Sequence, residues 1–227
     1  MLPASSATPD PSPQPRQGGQ PRQDWLFYHL LKWLVVNPLF RLIYWGKVYG
    51  AERVDRHHPL IVVSNHASHF DPPILSNSVC RPVAFMAKAE LFQIPFLKQA
   101  IQLYGAYPVK RGGSDRSALR ATEAALQKGW AVGIFLNGTR TLDGRINQPH
   151  LGAALISART QTPLLPVALW GTEQVLPKGR KFPRLFCPIT VRIGDPIPPP
   201  ASSEREDLLI TTQACVETIH RLLAQGR

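Results

Sequence analysis

Short apolar runs alternate with segments of helical periodicity through most of the chain. Pro59-Leu60-Ile61-Val62-Val63 is apolar at every position and reads as a strand buried on both faces. A first strand and turn are expected at Lys47-Val48-Tyr49-Gly50, and further strands over 81–87, 106–109, 130–136, 163–170, 182–186 and 189–193. Helices are expected over 74–78, 88–92, 95–103, 114–128 and 151–159. Pro95 suits a first helical turn, while Ser114 and Gly129 are the start and stop signals of the 114–128 helix. A last helix runs to about Gln225, its start marked by the capping-box pattern Ser203/Glu206, after a rigid proline-rich linker over 195–200. This alternation predicts an α/β fold with a mostly parallel central sheet flanked by helices.

The first 45 residues break from that rhythm. Residues 1–23 are rich in Pro, Gln, Ser, Gly and Arg and hold too little apolar surface to offset ordering entropy, so a disordered tail is expected. The chain does not open on a basic and then apolar signal segment. Residues 24–45 then turn strongly apolar. Trp25, Trp33 and Trp45 lie within them, with Lys32, Arg41 and Lys47 among or just beyond them. Asn37-Pro38 is expected to break the segment into two short helices. Tryptophan and tyrosine favour the membrane–water boundary, and basic side chains snorkel to headgroups. The pair therefore reads as interfacial and membrane-associating, apolar on too many sides for a one-faced stripe. A core helical hairpin is the alternative. No uninterrupted apolar run is long enough for a transmembrane helix. Residues 46–227 form the remaining domain.

Candidate chemistry begins where the buried strand ends. His66 and Asp71 sit in Ser64-Asn65-His66-Ala67-Ser68-His69-Phe70-Asp71, just before Pro72-Pro73. Ligands of open α/β sheets bind at the carboxyl ends of strands. A histidine held by a carboxylate is a minimal general base. The same residues also describe a capped turn with an ordinary loop histidine. Lys110-Arg111-Gly112-Gly113 follows the 106–109 strand as an anion pocket or a solvated basic turn. Asn137-Gly138-Thr139-Arg140 follows the 130–136 strand, and its Asn-Gly pair is also a hairpin signal.

The net charge of +11 points to an anionic partner. Nucleic acid is not that partner: the cations are scattered and no stacking module or helix-turn-helix is present. The three cysteines, Cys80, Cys187 and Cys215, are odd in number and widely spaced, as in a reduced, cytosol-facing chain. His57-His58, with His66 and His69, invites a metal site, but no cysteine or carboxylate cluster has ligand spacing there, so none is assigned.

Four blocks in order resemble the glycerolipid acyltransferase family, and within it the 1-acylglycerol-3-phosphate (lysophosphatidate) acyltransferases. Asn65-His66 to Asp71 is similar to the NHxxxxD signature. Gly105-Ala106-Tyr107-Pro108-Val109-Lys110-Arg111 resembles the second block, Phe135-Leu136-Asn137-Gly138-Thr139-Arg140 the third (usually FPEGTR), and Leu165-Pro166-Val167-Ala168 the fourth. Lys88-Ala89-Glu90-Leu91 resembles a further family segment, and the likeness spans roughly residues 46–197. It implies transfer of a fatty acyl group from acyl-CoA or acyl carrier protein to the hydroxyl of lysophosphatidic acid, giving phosphatidic acid. It implies His66 as base and Asp71 as its partner. Asn65, Lys110, Arg111, Asn137, Gly138, Thr139 and Arg140 would bind substrate, the two arginines holding the phosphate. The thioester enters as co-substrate and no cofactor is implied. A phospholipid surface on the cytoplasmic face would be the workplace. Leu136-Asn137 departs from the usual Pro-Glu, and His150 stands where lysine is common; acylation of another lysolipid, or a non-catalytic lipid-binding role, are the alternatives.

Overall fold

The computed structural model describes residues 29–88, 93, 107–109, 115–177, 180 and 182–227. Seven strands form one sheet: β1 (Lys47–Tyr49), β2 (Leu60–Ser64), β3 (Val83–Lys88), β4 (Tyr107–Val109), β5 (Ala131–Phe135), β6 (Leu164–Trp170) and β7 (Thr190–Ile193), in the spatial order β1-β7-β6-β2-β5-β3-β4. Every neighbouring pair is parallel except β6 and β7. The helices are α1 (Asp71–Ser78), α2 (Asp115–Gln127), α3 (Gly152–Thr160), the single turn α4 (Thr172–Val175) and α5 (Arg205–Ala224).

β2 is central, and Leu60, Ile61, Val62 and Val63 are at most 1% exposed. Burying each such side chain contributes about 1.5–3 kcal/mol, which is why an all-apolar run settles between two neighbours and two helical layers. Val62, Phe85, Leu165 and Val167 pack on one face with Ile74 and Leu75 of α1 and Phe40 and Tyr44 of the N-terminal segment. Ile61, Val63, Val132 and Ala168 pack on the other with Leu126 of α2, Ile156 of α3, and Cys215 and Ile219 of α5. Burial pushes the Cys215 thiol up to about 12.

Four expectations are corrected. Residues 29–43 form one helical run with no break at Asn37-Pro38, both of which keep right-handed helical angles. The run is widened into π-helical turns over Lys32–Val36 and Leu39–Ile43, where Asn37 N–H reaches the Lys32 carbonyl and Tyr44 N–H that of Leu39. The looser turn gives the proline ring room, so only its missing donor is lost. Lys32 does not snorkel outward: it is 4% exposed, and burial pulls its pKa down. Phe182 to Phe186 is an exposed bend, not a strand. The Ser203/Glu206 capping box does not form at α5, whose N-cap is Glu204. There Ser202 Oγ accepts from Glu204 N–H at 3.0 Å and donates to Asp207 at 2.6 Å.

The tail 1–23, the helix over 95–103, Ser114 and nearly all of the 88–92 helix lie outside the described residues; Lys88 itself ends β3. Among the described residues no helix is long and apolar enough to cross a membrane.

Candidate active site

The chain leaves β2 at Ser64 and enters α1 at Asp71, the first helical position. Pro72 and Pro73 fit there because a first turn has no use for their missing N–H groups. The Asp71 carboxylate is fully buried at this helix N-terminus, where negative charge is favoured. One oxygen, Oδ2, accepts from His66 Nδ1 at 2.7 Å, Ala67 N–H at 2.7 Å and Ser68 N–H at 2.8 Å. Because Asp71 accepts, the proton sits on Nδ1, leaving the His66 Nε2 lone pair available. The His66 side chain is 16% exposed, so the imidazole is mostly buried but not sealed off.

β5 ends beside β2 in register, Ser64 opposite Phe135. This places the third block against the first. The Leu136 N–H donates to the Ser64 carbonyl at 3.1 Å, and the His66 ring stacks on Phe135 with centroids 3.9 Å apart and planes 12° apart. Phe135 stacks in turn on Phe85 at 5.7 Å. Phe85 lies over Gly133, where any Cβ would collide with its ring. Thr141 donates to the His66 carbonyl twice, through N–H at 2.8 Å and Oγ1 at 3.2 Å. No hairpin follows Asn137-Gly138; the chain turns at Leu136–Thr139 and runs on through a loop to α3. Gly138 has φ +63°, a conformation that favours glycine, and a side chain there would press on His150.

Two residues expected to bind substrate are committed to backbone instead. Asn65 is fully buried; its amide donates to the Gly144 and Leu169 carbonyls, each at 2.9 Å, and its oxygen accepts from Leu169 N–H at 2.8 Å. It ties the ends of β2 and β6 to the following loop. Asn137 is 7% exposed, donates to the Arg145 carbonyl at 2.8 Å and accepts from Gln148 N–H at 3.4 Å. Both amides brace the loop over 141–148 and have little left for a ligand. Gly138 and Thr139 are exposed, and Arg140 is half-buried. The His69 pKa is pulled down by burial first, then by the Arg140 cation and by His66, with Asp71 opposing. Arg140, His69, His66 and Asp71 thus share one electrostatic neighbourhood. Lys110 and Arg111 lie outside the described residues, following β4.

At the opposite end of the sheet, Asp55 accepts from the His57 and His58 N–H groups and from the His58 ring. Burial opposes ionisation of Asp55, but these bonds outweigh it and bring its pKa down to about 2. Among the described residues no cluster of three metal-ligating side chains occurs.

A family model described as Acyltransferase matches residues 46–170, more than half of the chain. The chain belongs to the acyltransferase family. A crystal structure of the 1-acyl-sn-glycerophosphate acyltransferase PlsC from Thermotoga maritima is similar to this chain over 90% of its length and 78% of that one, with a TM-score of 0.68 and 27% identity. A chloroplastic 1-acyl-sn-glycerol-3-phosphate acyltransferase of Brassica napus is 31% identical over 156 residues, covering 67% of this chain and 45% of the relative. One from Borreliella burgdorferi is 31% identical over 138 residues, covering 60% and 55%. The chain spans about half the length of the curated relatives it matches.

Phe135, Phe85 and Thr141 support the candidate site and are not apparent from motif reading. Phe135 stands inside the third block, but its contact with His66 follows only from the parallel register of β2 and β5.

Proposed function

We propose that this chain moves a fatty acyl group from an acyl thioester, on coenzyme A or acyl carrier protein, to the free hydroxyl of 1-acylglycerol-3-phosphate, giving phosphatidic acid. The observation carrying this is the 2.7 Å bond from His66 Nδ1 to a buried Asp71, with the imidazole partly exposed at the carboxyl end of the sheet. Nε2 takes the proton of the acceptor hydroxyl as its oxygen attacks the thioester carbonyl. Asp71 holds the ring and stabilises the imidazolium. The tetrahedral adduct collapses, the C–S bond breaks, and the thiolate leaves with the proton from His66. No acyl-enzyme is required, because the thioester is already activated. Arg140 receives the acceptor's phosphate, a role suited to a guanidinium, and Arg111 is assigned with it from the motif alone.

The reaction is assigned to a phospholipid surface on the cytoplasmic face. Trp33, Leu34 and Leu42 along the helical run are 59%, 68% and 70% exposed and Trp45 just after it 48%, a surface too apolar to suit water alone. The deciding experiment is an acceptor screen with purified protein, offering both donor types, with His66→Ala alongside. Transfer to lysophosphatidic acid that disappears in His66→Ala supports the reading. Activity retained in the variant sinks the mechanism, and transfer only to an unphosphorylated lysolipid sinks the acceptor assignment.

A further inference from the structure

Among the described residues, the bend at 182–186 gathers more exposed large apolar side chains than any other stretch outside the N-terminal run. Phe182, Leu185 and Phe186 are 78%, 54% and 59% exposed. Arg180 and Arg184 beside them are exposed as well. The sequence carries no acidic residue between Glu173 and Asp195, nor between Asp24 and Glu52. Both segments are therefore apolar and purely cationic.

They also meet. Ile189 N–H bonds the Tyr44 carbonyl at 3.0 Å and Lys47 N–H bonds the Ile189 carbonyl at 3.1 Å, stitching the two stretches together. Beside that seam the rings of Trp45 and Phe186 lie 6.1 Å apart. Trp45 (φ +43°) and Phe186 (φ +59°) are two of only four non-glycine residues in left-handed backbone among the described residues. That conformation is unfavourable for bulky side chains and persists where the surroundings impose it. Here it holds two large rings side by side and half exposed. The seam lies where β6 ends, since Trp170 is opposite Thr190 and Thr190 opposite Lys47. β6 is parallel to β2, so this is the end that carries His66. Tyr44, next to Trp45, has its ring 6.5 Å from that of Phe70, which precedes Asp71.

We propose that Arg180 and residues 182–186 are a second membrane contact, joined to Trp45, that docks on an anionic phospholipid bilayer and seats the His66 end of the sheet against the lipid. This rests on the reading that the chain works at a bilayer. Phe182, Leu185 and Phe186 enter the interface, and Arg180 and Arg184 meet the headgroups. The apolar residues set affinity for any bilayer; the arginines add preference for negative charge.

The test is flotation of the full-length protein with vesicles of phosphatidylcholine alone or with added phosphatidylglycerol. Three variants are compared with wild type: Phe182→Ser/Leu185→Ser/Phe186→Ser, Arg184→Ala, and Trp33→Ser/Leu34→Ser/Leu42→Ser in the helical run. Thermal melting checks folding, and Phe182→Ser alone replaces the triple variant if that one melts early. The triple loop variant is expected to lose at least about tenfold in affinity for anionic vesicles. Arg184→Ala is expected to weaken binding only to the anionic vesicles, and only at low salt. Wild-type binding by the folded loop variant, with binding lost in the helical-run variant, overturns the proposal and leaves the membrane reading standing. No vesicle binding by wild type overturns both. A loop variant that changes sedimentation without changing vesicle binding assigns the patch to a second copy of the chain and also overturns the proposal.

Discussion

The His66 ring lies flat on the Phe135 ring, 3.9 Å between centroids, while Asp71 grips the same imidazole by its edge at 2.7 Å. The ring is held in two independent ways. The carboxylate fixes which nitrogen carries the proton, and the phenyl fixes the plane in which the other points. Replacing Phe135 with Ala removes the second restraint. The expected result is a fall in kcat of up to about 100-fold with little change in KM, since small displacements of a reacting group cost that much. Phe135→Tyr, which keeps the stack, should recover most of the rate; a parallel rise in KM would place Phe135 in substrate binding instead.

Asp71→Asn tests the first restraint. All three bonds end on Oδ2 while Oδ1 accepts none, so the amide oxygen can take the place of Oδ2 and what the substitution removes is the charge. Loss of the charged partner should lower kcat by about 10²–10⁴-fold. Melting temperature measured alongside separates this from collapse of the turn before α1. Full activity in a folded Asp71→Asn protein would remove Asp71 from the mechanism.

The order of strands and helices is legible because β2 and β6 are continuous apolar runs and α2 carries clear helical periodicity. His66 and Asp71 were legible because both lie in one short loop after such a run. The places where reading failed share a physical cause: the deciding partner is distant in sequence. Asn65 looks available until Leu169 and Gly144 close around it. Phe135 looks like one more core residue until the register sets it under His66. Phe182 to Phe186 has strand composition, yet β7, the strand next to it in sequence, has both sides taken by β1 and β6. Pro38 reads as a break because the widening of the helix around it leaves no mark in local composition.

Arg140 shapes the charge state of its neighbour. Burial is the main cause of the depressed His69 pKa, and the Arg140 cation is the next. In wild type the His69 ring should titrate below the ordinary value of about 6.5. In Arg140→Ala one depressing cause is gone, so the midpoint should move up toward that value, followed by two-dimensional NMR of the imidazole protons. The same variant should raise the apparent KM for a phosphorylated acceptor by about tenfold or more, the loss expected for a charged hydrogen bond. An unmoved His69 midpoint would separate the two groups in solution. An unchanged KM would remove Arg140 from phosphate binding.

Asn137 departs from the usual family residue at a point where hydrogen bonding explains the choice. Its amide nitrogen donates to the Arg145 carbonyl at 2.8 Å and its oxygen accepts from Gln148 N–H, so one side chain clips both ends of a short stretch of loop. A carboxylate has no hydrogen to give that carbonyl. Asn137→Asp, nearly the same shape, should therefore destabilise the fold by about 1–3 kcal/mol, the cost of a buried acceptor left without its donor beside a new charge. Urea denaturation at an unchanged slope measures it. The loop that loosens is the one that follows Arg140 and holds the His66 carbonyl through Thr141, so kcat should fall with stability. If Asn137→Asp instead leaves stability intact and shifts acceptor preference, the side chain faces substrate, and the assignment of a bracing role is wrong.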